Sequence, residues 1–231
     1  MKKVTCIIAL LAILMSLVSG CSGKEKHPSN YDQLTALMGQ SREAVCTQLG
    51  LTEDDLEEDP KIPGECKTPV QIEYAGVDFD LVLIFDILED LFIGFRYRAT
   101  YEAAPETAAK DTVTVAKHLS KTMGKPYYTK KDILISDQTQ ADLQAIFSDS
   151  DSDFFSSTNH WDLTEGAGSE IKEHMEHVRN TEHWLKYFGA DTPAYFFMDF
   201  LISHDPDTDQ SHIQVSYCID HPRGSVNYGE S

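Results

Sequence analysis

Val77-Asp78-Phe79-Asp80-Leu81-Val82-Leu83-Ile84-Phe85-Asp86 and Leu91-Phe92-Ile93-Gly94-Phe95-Arg96-Tyr97-Arg98-Ala99-Thr100-Tyr101 set the architecture. The odd positions of the first run are Val77, Phe79, Leu81, Leu83 and Phe85. Those of the second are Leu91, Ile93, Phe95, Tyr97, Ala99 and Tyr101. Successive side chains of a strand point to opposite faces, so an apolar set at period two specifies a half-buried strand. Directly opposed residues share a face, so the two odd sets must pair with each other. The simplest register opposes Ile87 to Leu91 around Leu88-Glu89-Asp90. It sets Phe85 against Ile93 and Leu83 against Phe95, and on the outer face Asp80 against Arg98 as a favourable charge pair.

Further along, Phe196, Met198, Phe200 and Ile202 alternate, as do Ile213, Val215, Tyr217 and Ile219. These sets face each other if Asp205 to Gln210 forms the loop. Val70 to Tyr74 is expected as another strand, turned by Ala75-Gly76. The preceding stretch 51–69 is acidic and holds Pro60, Pro63, Gly64 and Pro69, which predicts an exposed loop. Two short helices are expected over Tyr31 to Gly50, and a longer one over Pro105 to Gly124. In the latter, Ala108, Thr112, Val115, Ala116, Leu119 and Met123 line one face. Thr139-Gln140-Ala141-Asp142 reads as a capping pattern and Ser169 to Arg179 as a polar helix. Short strands are expected at Lys131 to Ser136, Asn159 to Thr164 and Glu182 to Phe188. The fold class is α+β, an antiparallel sheet with helices packed on one face. The element order hints at two similar α-β-β-β halves.

At the amino end, Lys2 and Lys3 precede an apolar run from Val4 to Val18 and the small residues Ser19-Gly20. That is a secretory signal, too short at about 15 apolar residues to span a bilayer comfortably. Val18-Ser19-Gly20-Cys21 resembles the lipobox of bacterial lipoproteins. The resemblance implies that Cys21 is acylated on sulfur, becomes the mature N-terminus and ties the chain to the lipid bilayer. The expected division is a signal peptide at 1–20, a polar tether at 21–30, one α+β domain at 31–221 and a loose tail at 222–231. A subdivision of the domain near 125–130 stays open. The location expected is the extracytoplasmic side of the cell membrane, inner or outer.

Loss of Lys2 and Lys3 from 19 Lys+Arg leaves 17 against 38 Asp+Glu, a net charge of −21. Nucleic acid is therefore not an expected partner, because phosphates require a basic face. The charge also disfavours lying flat on anionic lipid. The chain has 23 aromatic residues (11 Phe, 10 Tyr, 2 Trp), enough for a packed core. Beyond Cys21 the cysteines are Cys46, Cys66 and Cys218. An exported compartment permits disulfides, and Cys46 with Cys66 is the pair best placed for one, buried thiols being the alternative.

Four stretches carry candidate chemistry. Asp149-Ser150-Asp151-Ser152-Asp153 alternates oxygens as a calcium loop does, but Phe154 stands where a glycine is needed and His160 where a closing glutamate belongs. His204 to His212 encloses Asp205, Asp207 and Asp209, a set that could hold a divalent cation. The strand register opposes this, since it sends His204 and His212 to opposite faces. Glu173, His174 and His177 share a helix without the H-E-x-x-H arrangement, and His183-Trp184 is a weak hint of an aromatic surface site. G-x-S-x-G and glycine-rich nucleotide loops do not occur in the sequence, and no cofactor is expected.

Gly39-x-Ser41-x-x-x-Val45-x-x-x-Leu49-Gly50 resembles the helical motif of small bacterial lipoproteins of the SmpA/OmlA type and of the β-lactamase-inhibitor fold. The resemblance implies two short helices laid on an antiparallel sheet, and a function exerted by binding proteins. The long acidic stretch 51–69 departs from that pattern. The expected function is a non-catalytic binding or scaffolding module for an unknown envelope protein or small ligand. The alternative is a metal-binding protein or metal-dependent hydrolase using Asp205, Asp207 and Asp209.

Overall fold

The computed structural model describes residues 26–87, 89–128, 132–149 and 154–220. The signal peptide, Cys21, Leu88, Ser150 to Asp153 and the tail 222–231 lie outside the described residues, as does the side chain of His183. The elements run α1 (Tyr31–Thr35), α2 (Arg42–Leu49), β1 (Glu57–Glu58), β2 (Glu65–Tyr74), β3 (Val77–Phe85), β4 (Phe92–Glu102), α3 (Pro105–Met123), α4 (Gln140–Phe147), β5 (Phe155–Asp162), α5 (Ser169–Arg179), α6 (Glu182–Tyr187), β6 (Tyr195–Asp205) and β7 (Gln210–Asp220). Single 3₁₀ turns occupy Glu53–Asp55 and Ile135–Asp137. Among the described residues no helix is long and apolar enough to cross a membrane.

The strands form one seven-stranded antiparallel sheet in the order β1-β2-β3-β4-β7-β6-β5. Two meanders, β2-β3-β4 and β5-β6-β7, therefore abut through their last strands. Each is preceded by helices, and α5 and α6 are inserted between β5 and β6.

The anticipated register holds at Leu83↔Phe95 and Asp80↔Arg98, and then slips one residue. Phe85 pairs with Phe92 rather than with Ile93. Ile93 is the extra residue of a β-bulge, which reverses parity and sends Phe92 into the core, fully buried, in place of Ile93. The β6–β7 pairing follows the alternation throughout, with Phe196↔Ile219, Met198↔Tyr217, Phe200↔Val215 and Ile202↔Ile213. One core cluster results, with Val115 and Leu119 of α3 and Leu143 and Phe147 of α4 packed in it beside the inward residues of the sheet.

Several expectations are corrected. Strand β2 begins at Glu65, so 51–69 is not wholly an exposed loop; Glu65, Cys66 and Thr68 are buried. Its ladder is irregular between Lys67 and Gln71, where Pro69 has no N–H to donate. There Thr68 Oγ1 donates to the Leu81 carbonyl at 3.0 Å and accepts from Val70 N at 3.1 Å, so a side chain stands in for the missing ladder bonds. Glu182–Tyr187 is a helix, not a strand, capped by Thr181 Oγ1, which accepts from Trp184 N at 3.2 Å. The described part of Lys131 to Ser136 is loop and 3₁₀ turn rather than strand, and β5 starts earlier than Asn159, at Phe155. Cys46 and Cys66 are both buried free thiols. Cys66 Sγ instead accepts a hydrogen bond from Arg42 Nη1 at 3.1 Å.

The end of the presumed tether is also packed. His27 stacks on Tyr31 with ring centroids 4.0 Å apart, and its Nδ1 lies 3.1 Å from the Tyr217 hydroxyl. Tyr74 donates its hydroxyl to the Lys26 carbonyl at 2.8 Å, and Tyr97 donates to Asn30 Oδ1 at 2.6 Å. Tyr74, Tyr97 and Tyr217 come from β2, β4 and β7 and are at most 2% exposed. A buried phenol needs a partner for its O–H. Residues 26–30 supply all three, and so form a strap belonging to the fold rather than a free linker.

Candidate binding surface

Side-chain alternation gives the sheet two unlike faces. The odd residues of β3 meet the helices, while the even ones bear Asp78, Asp80, Val82 and Ile84 on the opposite face. Cross-strand pairing extends that second face into rows, among them Asp80, Arg98, Gln214 and Leu201, and Val82, Arg96, Ser216 and Asp199.

At its centre the Glu65 carboxylate binds two guanidinium groups. Arg96 Nη1 lies 2.6 Å from Oε1, and Arg98 Nη2 donates to Oε2 at 2.8 Å. Arg96 Nε also donates to Ser216 Oγ at 2.9 Å. Burial, joined by the neighbouring Arg98 charge and opposed by Glu65, brings Arg96 below its usual range. The anticipated Asp80–Arg98 pair is opposed in register, but each has a closer partner. Asp80 takes Lys67 Nζ at 2.6 Å and Gln71 Nε2 at 2.9 Å, whereas Arg98 takes Glu65 and, at 3.8 Å, Asp59. Partial burial would raise the Asp80 carboxyl; its bonds from Lys67 and Gln71 outweigh that and hold it below the ordinary value. Arg98 Nε is buried and has no hydrogen-bond partner among the described residues.

A groove of about 700 Å³ opens over this network. Val82, Arg98, Gln214 and His212 contribute to its lining, as do Ile62 from the loop before β2 and Phe154 just before β5. Ile62 is 44% exposed and Phe154 63%. Two large apolar side chains thus border a charged floor. His212 Nδ1 lies 3.1 Å from Thr100 Oγ1, and burial, with Arg98 nearby, lowers its pKa.

The three aspartates of the metal reading lie in and beside the β6–β7 turn, and Asp205 among them lines the groove. Asp205 Oδ1 accepts from Asp207 N at 3.0 Å, and hydrogen bonding from the Thr208 side chain lowers its pKa. This is an Asx-type turn closing on itself. Asp209 takes a left-handed φ of 49°. His204 is buried, with Nδ1 3.1 Å from Ser211 Oγ, while His212 pairs across the ladder with Ser203 on the other face. Among the described residues no three His, Cys, Asp or Glu side chains converge on one point as a metal would require. On α5, His174 packs beside Gly39, while His177 is exposed.

The Gly39-to-Gly50 motif is built as its residues ask. Gly39 has φ 81° and donates its N–H to the Phe92 carbonyl at 2.7 Å, Ser41 Oγ accepts from Ala44 N at 3.4 Å, and Gly50 closes α2 in the left-handed region. Glu65, Ile62 and Phe154 were not among the residues expected to form a site. Glu65-Cys66-Lys67-Thr68 does carry a period-two signal, polar outward and Cys and Thr inward, which the following Pro69 conceals. Nothing in the sequence brings Ile62 and Phe154 together, since only the folded chain puts them beside one groove. Comparison with family models, with curated proteins and with solved structures gives no match for this chain.

Proposed function

We propose that this chain is a lipid-anchored extracytoplasmic binding module whose helix-free sheet face engages an envelope protein. Acylated Cys21 is the anchor, motivated by the small-residue motif ending the apolar run. The observation that carries the binding reading is the groove: Ile62 and Phe154 stay exposed beside a preformed charged floor. Exposed apolar side chains bordering a concavity are what a partner buries, and the polar groups beneath supply orientation. Ion pairs such as Arg96–Glu65 are already made in the absence of a partner, so the surface is organised before it binds.

The test is photo-crosslinking in the native envelope with a benzophenone amino acid at Ile62, at Phe154 and, as control, at exposed Lys117 on α3. Discrete adducts of one size from the first two positions and none from Lys117 are expected. Adducts equally abundant from all three positions, or absent from both groove positions, would overturn the reading.

A further inference from the structure

We propose that the docked strap holds the domain with its helix layer toward the bilayer and its open sheet face away from it. This rests on the lipid-anchor reading of Cys21. Lys26, His27 and Asn30 are fixed by hydroxyls of three strands, all on the helix side of the sheet. The strap meets the surface there too. Lys26 borders a hollow of about 740 Å³ with Met123 at the end of α3, Ile171 of α5 and Glu165 in the loop after β5. The groove lies on the other face, because Tyr97 and Arg98 are consecutive residues of β4 and must point oppositely.

The first residue held by the core is thus Lys26 and not Tyr31. Five residue steps separate Cys21 from Lys26, a reach of at most about 17 Å. Seven strands, at a spacing of about 4.8 Å, make a sheet about 29 Å wide. The tether is shorter than the body it holds, so the domain cannot turn over and bring its groove to the lipid. The hollow beside Lys26 is bordered by Asp32, Asp162, Glu165 and Glu170, whose charge opposes close seating on anionic headgroups. The strap therefore sets orientation without adhesion, and the groove's partner is met from the aqueous side.

The experiment uses the acylated full-length mature chain in phosphatidylcholine vesicles carrying a headgroup energy acceptor. A donor dye is attached at Glu165→Cys or Lys61→Cys in a Cys218→Ser background, where Cys46 and Cys66 are buried. Transfer from the Glu165 position should exceed that from the Lys61 position at least twofold. Ten Gly/Ser residues inserted after Gly23 should bring the ratio toward one. Equal or reversed transfer without the spacer, or a ratio the spacer leaves unchanged, overturns the orientation. Fatty-acid labelling separates the two failures. A wild-type chain that takes no label defeats the anchor and this inference together, whereas a labelled chain with equal transfer defeats the orientation alone.

Discussion

Glu65 is 5% exposed and its carboxylate is shared by Arg96 and Arg98. Such an arrangement is not proof of net stabilisation, but removing its central charge leaves two guanidinium groups without their main partner. Glu65→Ala should cost about 3 kcal/mol in urea unfolding. Much of that loss should vanish when Arg98→Met is combined with it. A cost below about 1 kcal/mol would count the pair as surface-like. His27 gives a pH dependence. Burial, the larger cause, and then the Lys26 charge lower its pKa from 6.5 to about 4. The unfolded chain therefore binds a proton that the folded chain refuses between those values. The stability held above pH 6.5 falls as the pH drops toward 4. Denaturant midpoints measured at pH 7 and pH 4.5 should differ more for the wild type than for His27→Gln.

The β4–β7 pairing is the seam between the two meanders, and Gly94 sits on it. A Cβ there would come 2.5 Å from the Tyr217 carbonyl oxygen, and backbone cannot step aside as a side chain can. Gly94→Ala should destabilise by about 1–3 kcal/mol through overpacking, while Gly76→Ala, open to solvent, strains only its own turn. Leu83→Ala, at a fully buried position, should cost about 2–5 kcal/mol. Alternation made the paired strands legible, because each has one face on the core. It could not reveal the bulge at Ile93, since a parity change leaves Phe92 and Ile93 equally apolar as neighbours. Glu182–Tyr187 misled for a related reason: six residues hold too few turns for a helical period to emerge, and the Thr181-Glu182 cap is the better signal. The groove was least legible, because its lining comes from five separate places in the chain.

At the scale of the whole molecule, the strap is pinned to the core by three buried phenols. A chain beginning at Tyr31 would leave the buried hydroxyls of Tyr74, Tyr97 and Tyr217 without Lys26, Asn30 and His27. At about 1–3 kcal/mol each for the lost hydrogen bonds of Tyr97 and Tyr217, it should melt well below a chain beginning at Lys26. Equal melting temperatures would make the strap ornamental. The seam has a consequence for how such a chain is born. Strand β4 is complete by Glu102, yet its partner β7 begins only at Gln210, about 110 residues later. A chain that emerges amino end first thus carries a finished meander ending in a naked, aromatic-rich edge until nearly all of its length has been made. Loop closure over that span is slow, so the interval is one in which two nascent copies could zip together edge to edge. Whatever shields that edge decides how much of the chain reaches the folded state.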